Sequence, residues 1–135
     1  MNEACNGGIF KLGEPNVGYA QYFKGNSYLN PLVYDQVSIS NVTFEPGCRN
    51  NWHIHYVANQ ILLCTAGEGW YQEWDKAAVH LKAGDYVVIP VGVKHWHGAL
   101  KDKWFTHLAI TPIKDGAKTE WLEPVEETTY QQLSY

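Results

Sequence analysis

Five of the chain's six histidines, together with one glutamine, have the types and spacing to hold a metal ion. His53 and His55 are two apart, as are His95 and His97. Side chains two apart on an extended strand point to the same face, so each pair can turn both imidazoles toward one centre. Neutral imidazoles suit divalent transition ions, and such an ion polarises a hydroxyl or carbonyl oxygen or lowers the pKa of bound water. One His-x-His pair alone carries little weight. Its weight here comes from the frame around it: Gly47, five residues, His53, one residue, His55, four residues, Gln60, six residues and Gly67. A second frame follows: Gly84, five residues, Pro90, one residue, Gly92, two residues and His95.

These two spacings resemble the signature motifs of the cupin superfamily. The motifs span residues 47–99, and strand patterning extends the likeness from about residue 35 to about residue 125. The resemblance implies that His53, His55, Gln60 and His95 bind one divalent transition metal inside a double-stranded β-helix barrel. The chain departs from the usual motifs twice, with Gln60 where a glutamate is usual and Ala99 where an asparagine is usual. Two readings of Gln60 therefore stand: a direct ligand, or a lumen amide that hydrogen-bonds a ligand histidine. The runs Phe44-Glu45-Pro46-Gly47, Trp52-His53-Ile54-His55, Lys94-His95-Trp96-His97-Gly98-Ala99 and Thr106-His107-Leu108-Ala109-Ile110 narrow the likeness. They resemble short bacterial single-domain cupins, a group loosely associated with carboxymuconolactone decarboxylases and including manganese-dependent hydroxynitrile lyases. One fold hosts many chemistries, so the function has to be argued from the site.

His97 shares a strand face with His95 but lies one step along, which places it beside the metal as a candidate proton-transfer group. His107 is either catalytic or a hydrogen-bonded core histidine. His80 lies between Val79 and Leu81 in an alternating segment and is expected to face solvent. Cys64 has the phase of Gln60 and Leu62 and reads as a small buried residue facing the lumen. Trp52, Ile54 and Trp96 have the opposite phase and are expected to pack outside the lumen, against another sheet or subunit. Arg49 and Asn50 lie just before His53, where a polar group could reach the pocket mouth, and read as a solvated turn in preference to that.

Many short strands separated by frequent turns must position these groups, which favours an all-β barrel or sandwich. Strands are expected at Val37–Phe44, Gln60–Thr65, Gly69–Trp74, Ala78–Leu81, Tyr86–Pro90, His95–Ala99 and Trp104–Thr111, with a turn at Ala66-Gly67-Glu68-Gly69. The apolar phase changes between Ile39 and Val42, which predicts a bulge or bend there. Joined to the resemblance, this gives a jelly-roll-like cupin barrel at 35–125, preceded by an N-terminal arm, 1–34, and followed by a tail, 126–135. The tail has room for a short C-terminal helix over Glu126 to Leu133.

A chain of 135 residues fits a single domain with a real core. Six Trp and nine Tyr suit a compact barrel with aromatics in its lumen and at a subunit contact, and a homodimer is expected. The net charge of −4, without a basic cluster, argues against nucleic acid and anionic membranes as partners. Met1 to Gly8 has no readable signal peptide, and the three cysteines form no disulfide-like framework, so a cytoplasmic setting is expected.

Three imidazoles and an amide bring no charge, so a bound ion keeps its full charge and acts as a strong Lewis acid, while Fe(III) is disfavoured. The metal could be Mn, Fe, Co, Ni or Zn. The reading is a Lewis-acid enzyme for a small hydroxyl- or carbonyl-containing substrate, of hydroxynitrile-lyase type, with His97, alone or with His107, moving a proton. An iron-dependent dioxygenase and a non-catalytic metal- or metabolite-binding or sensing cupin are the alternatives.

Overall fold

The computed structural model describes residues 7–135; Cys5 and most of the segment read for a targeting signal lie outside them. The chain opens with β1 (Glu14–Pro15), a single 3-10 turn at Ala20–Tyr22, β2 (Phe23–Lys24) and β3 (Ser27–Asp35). It continues through β4 (Val37–Phe44), β5 (Arg49–Asn50), β6 (His53–Tyr56) and a long β7 (Gln60–Glu73). Then come β8 (Val79–Lys82), β9 (Tyr86–Ile89), β10 (His95–Ala99), β11 (Phe105–Pro112) and β12 (Lys118–Trp121). A five-residue helix, α1 (Glu127–Gln131), lies within the tail segment expected to be helical.

All pairings are antiparallel and form two curled sheets. One has the order β1-β3-β4-β11-β7-β9. In the other, β10 pairs with β5, β6 and β7, while β2, β12 and β8 add to β5, β6 and β7. The expected all-β barrel is therefore the fold found.

Two expectations about strand shape are corrected. The turn predicted at residues 66–69 does not exist: β7 runs unbroken from Gln60 to Glu73 and belongs to both sheets. A positive φ of 69° at Gly67 and a register shift beside it bend the strand instead. No other residue fits there, because a Cβ on Gly67 would lie 1.9 Å from the Trp104 carbonyl oxygen. The predicted bulge in β4 is also absent from β4. Its Ser38, Ser40, Val42 and Phe44 all line the lumen, and the register shift falls between Pro31 and Val33 of β3. The apolar phase changes because Ile39 is apolar on the outer face, not because the strand slips.

Inside the barrel, Phe44, Leu62, Cys64, Ile89 and Phe105 form the main core with Val42, Tyr71 and Leu81. A second cluster lies outside the sheet that carries β10: Trp52, Trp70, Trp96 and Leu100 pack against Val125 and Tyr130 of the C-terminal segment. Trp52 and Trp96 thus have the predicted outward phase, yet the chain's own tail covers them. They cannot serve a subunit contact as expected. The Arg49 guanidinium lies 3.9 Å over the Tyr130 ring and pairs with Glu127, and the Tyr130 hydroxyl donates to the Ala99 carbonyl. No helix among the described residues is long and apolar enough to cross a membrane.

Candidate metal centre

Strand pairing brings the histidine pairs together. His53 of β6 stands opposite His95 of β10, their rings 4.1 Å apart, and His55 lies 5.0 Å from His53 and 5.1 Å from His95. The Nδ1–H of His53 donates to the Asn51 carbonyl at 2.8 Å, and that of His95 to the Val93 carbonyl at 2.9 Å. His55 Nδ1 meets the Thr119 hydroxyl at 3.1 Å. Because a carbonyl can only accept, His53 and His95 carry their proton on Nδ1 and turn a bare Nε2 lone pair inward.

Nε2 of His55, Nε2 of His95 and Oε1 of Gln60 are buried without a hydrogen bond of good geometry, with the Gln60 side chain set close against His55. Buried polar atoms are rarely left in this condition, and here these three face one cluster. Burial holds His53 well below the usual histidine range, with His95 as the next cause, and burial lowers His95 to about 4 and lowers His55 as well. The site is therefore a set of neutral donors without a counter-charge, which suits a divalent transition ion. Outward-anchored Nδ1–H groups are also what fix ligand histidines in metal sites.

His97 is drawn into the same cluster. Nitrogens of His53, His95 and His97 lie within 4.8 Å of one another and could themselves hold an ion. The ring of His97 nevertheless sits farther out, 6.0 Å from His53 and 6.4 Å from His95, and stacks on Phe44 at 5.6 Å. Asn50 grips it: Oδ1 accepts the His97 backbone N–H at 3.0 Å, and Nδ2 lies 3.2 Å from Nε2. His107 stands edge-on to His97 at 5.1 Å, and neither of its ring nitrogens has a partner. Burial pushes His107 down to about 3, and burial together with the charge His107 would carry keeps His97 neutral.

The cavity in front of these groups measures about 230 Å³. His53, His55, Gln60, His97 and His107 reach it, and Tyr19, Phe23, Phe44 and Trp121 supply an aromatic wall. Trp121 stands opposite His53 in the sheet with its ring 4.6 Å away, and Tyr22 stacks on its other side at 4.5 Å. A roomier groove of about 530 Å³ lies outside the barrel around Trp74 and Glu123 and contains none of the histidines. Size alone would pick the groove, but the clustered donors face the smaller lumen.

Several residues depart from expectation. Arg49 and Asn50 are not a solvated turn but the buried strand β5, paired with β2 and β10. Strand pairing consumes their backbone groups, and the short motif offered no sign of it. His80 points outward but is not free, since Nε2 meets Glu68 at 2.8 Å and its ring stacks on Tyr135 at 3.9 Å. Cys64 is buried in the core as expected, its thiol pushed up to about 12 by burial. Asn50 lines the cavity, the reading set aside in favour of a solvated turn, and Trp121 escaped the sequence reading altogether. The only trace of β12 was the short alternation Thr119, Glu120, Trp121, which puts Thr119 and Trp121 in phase with His55 and His53.

An antiparallel barrel with neutral metal-type donors turned into its lumen is the architecture of a metal-site cupin, and comparison supports that class. A family model described as Cupin domain matches residues 40–111. The chain belongs to the cupin family. It is 40% identical over 119 residues to an (R)-mandelonitrile lyase from Granulicella tundricola, covering 85% of this chain and 90% of that protein. Among solved structures, a cupin-like protein from Thermotoga maritima is 39% identical with a TM-score of 0.84, covering 92% of this chain and 95% of the other. A DMSP lyase from Ruegeria pomeroyi, 20% identical with a TM-score of 0.62 over 83% of this chain and 57% of that one, shares the fold.

Proposed function

We propose that this chain is a metal-dependent lyase that cleaves or forms a carbon–carbon bond beside a small hydroxyl or carbonyl group, of the hydroxynitrile-lyase type. The observation that carries this reading is the cluster of inward donors without good hydrogen bonds on His55, Gln60 and His95 beside the bare Nε2 of His53. We assign His53, His55, Gln60 and His95 to one divalent ion. When bound, such an ion would supply a fixed positive charge that polarises a hydroxyl or carbonyl oxygen. The likeness to a mandelonitrile lyase over most of both chains supports the same chemistry.

The protein's own residues have defined tasks in this reading. Neutral His97, held by Asn50, takes the hydroxyl proton of a cyanohydrin. As the carbonyl forms, the carbon–carbon bond breaks and its electron pair leaves with cyanide, which takes up the proton as hydrogen cyanide. His107, buried and unpartnered next to His97, is placed to pass or receive that proton. Tyr19, Phe23, Phe44 and Trp121 exclude water and pack the rest of a small substrate. The reading includes a homodimer whose interface is not formed by Trp52 and Trp96. It also includes a cytoplasmic setting, consistent with free thiols at Cys48 and Cys64.

The test combines elemental analysis with cyanohydrin-cleavage and oxygen-uptake assays on the purified protein. One divalent ion per chain and cyanide release without oxygen consumption are expected. His53→Ala with His95→Ala should strip the ion. His97→Ala should keep the ion and lose on the order of 10²–10⁴-fold in turnover. Loss of metal in His97→Ala would make His97 a ligand, and oxygen uptake on a metal-loaded protein would replace the lyase with a dioxygenase.

A further inference from the structure

Metal–imidazole bonds of about 2 Å leave ligand strands little room to splay, so the distance between His53 and His95 has to be fixed by the protein. The backbone does this weakly. β10 is laddered to β7 from His95 to Ala99, and β6 to β12 from His53 to Tyr56, but β10 meets β6 at the single register pair His95 with His53. A backbone bond from the Gly92 N–H to the His55 carbonyl at 2.9 Å also crosses this seam. Trp52 precedes His53 in the chain, and Lys94 precedes His95. The Lys94 ammonium lies 3.6 Å over the Trp74 ring and 5.6 Å over that of Trp52, and it donates to Glu123 Oε2 at 2.9 Å. The Trp52 and Trp74 rings meet edge-on at 4.9 Å. The backbone ties these partners to opposite sides of the seam: the Trp74 N–H donates to the Lys94 carbonyl, and the Trp52 N–H to the Glu123 carbonyl. One ammonium thus touches the residue after β7, the residue before β6 and the segment after β12.

We propose that Lys94 is a positioning residue for the metal centre, its ammonium clamping the seam so that His53 and His95 stay at a fixed spacing for one ion. The proposal rests on the assignment of those histidines as ligands. The clamp works by preorganisation: ligands free to part must be drawn together by the ion, which lowers affinity. The aromatic contacts carry most of it. Glu123 is half exposed, and ion pairs of that kind contribute little in water, whereas an ammonium over a tryptophan face keeps its attraction there. Lys118 offers a contrast, since it lies 5.5 Å over the Tyr56 ring beside His55, but inside the β6–β12 ladder and across no seam. The sign of the effect separates a clamp from plain electrostatics. Removing a positive charge near a divalent ion tightens binding by Coulomb's law, whereas releasing the seam weakens it.

Full-length protein stripped of metal is titrated with Co(II) against a competing chelator, and the same metal-free samples are unfolded in urea. Wild type is expected to bind Co(II) at one site per chain. Lys94→Met should bind it on the order of 10-fold or more weakly, with a urea midpoint close to that of wild type. Lys94→Arg, which returns a cation to the two rings, should recover most of the affinity. Lys118→Met should bind as wild type does. Trp74→Leu should weaken binding in the same way, and adding Lys94→Met to it should change little more. Unchanged or tighter binding in Lys94→Met overturns the proposal. So does an affinity loss matched by a loss of stability, or one that arginine fails to recover. A wild type that binds no Co(II) would overturn the ligand assignment itself, and the clamp with it.

Discussion

Gln60 brings an uncharged oxygen to a centre already built from neutral imidazoles, and its buried Oε1 has no hydrogen bond of good geometry. Gln60→Glu is nearly isosteric but adds a negative charge to the ligand set. The variant should retain a divalent ion at least as tightly, while cyanohydrin cleavage slows because the ion polarises oxygen less strongly. Metal analysis and turnover on the same preparation check both halves. Unchanged metal retention and unchanged rate together would remove Gln60 from the ligand set. At this scale the sequence was informative for the lumen histidines and placed Asn50 near the pocket mouth without its partner. Motif spacing states which residues share a strand face, whereas the grip of Asn50 on His97 joins β5 to β10 across 47 positions of sequence.

At the scale of elements, the C-terminal segment is a latch on the β10 sheet. Trp96 is fully buried beneath it, and the Tyr130 hydroxyl donates to the Ala99 carbonyl at the end of the strand that carries His95 and His97. Trp96→Ala is expected to destabilise the fold by about 3–5 kcal/mol through the cavity it leaves. Tyr130→Phe, which removes one hydrogen bond and leaves a buried carbonyl unpaired, should cost about 1–2 kcal/mol. Urea denaturation of both variants measures the difference, and equal losses would contradict the latch as described. Gly98 adds a constraint of the same kind, because a Cβ there would lie 2.4 Å from the Arg49 Cβ and push β5 away from β10. The sequence showed β10 and α1 as elements but not that one covers the other, since outward phase does not say what lies outside.

For the molecule as a whole, a barrel that buries neutral histidines is sensitive to acid. His107 has a folded pKa of about 3 against an ordinary value near 6.5, with burial as the cause. Between those values the unfolded chain binds the proton and the folded chain does not, so stability falls as pH drops below about 6.5. The slope from one such group reaches about 1.4 kcal/mol per pH unit. In metal-free protein, His107→Gln should therefore unfold with about one fewer proton taken up between pH 6 and 4. Chemical denaturation at several pH values gives that slope, and identical slopes for the two proteins would show that His107 does not carry this load.

The sequence by itself determined the lumen donors, most strand positions and the family, because alternation on a strand and the spacing of turn glycines are local properties. It placed His95–Ala99 and Val37–Phe44 at their observed limits. Tertiary structure decided what local pattern cannot contain. The bend of β7 between sheets depends on the Trp104 carbonyl packing against Gly67, and a turn-like glycine run reads the same either way. The strand identity of Arg49 and Asn50 depends on distant partners in β2 and β10. The fates of the two apolar outer faces also separate only in three dimensions. Trp96 and Ile39 both lie on outer faces, and only the path of the tail, which crosses one sheet and never reaches the other, buries the first and leaves the second partly open.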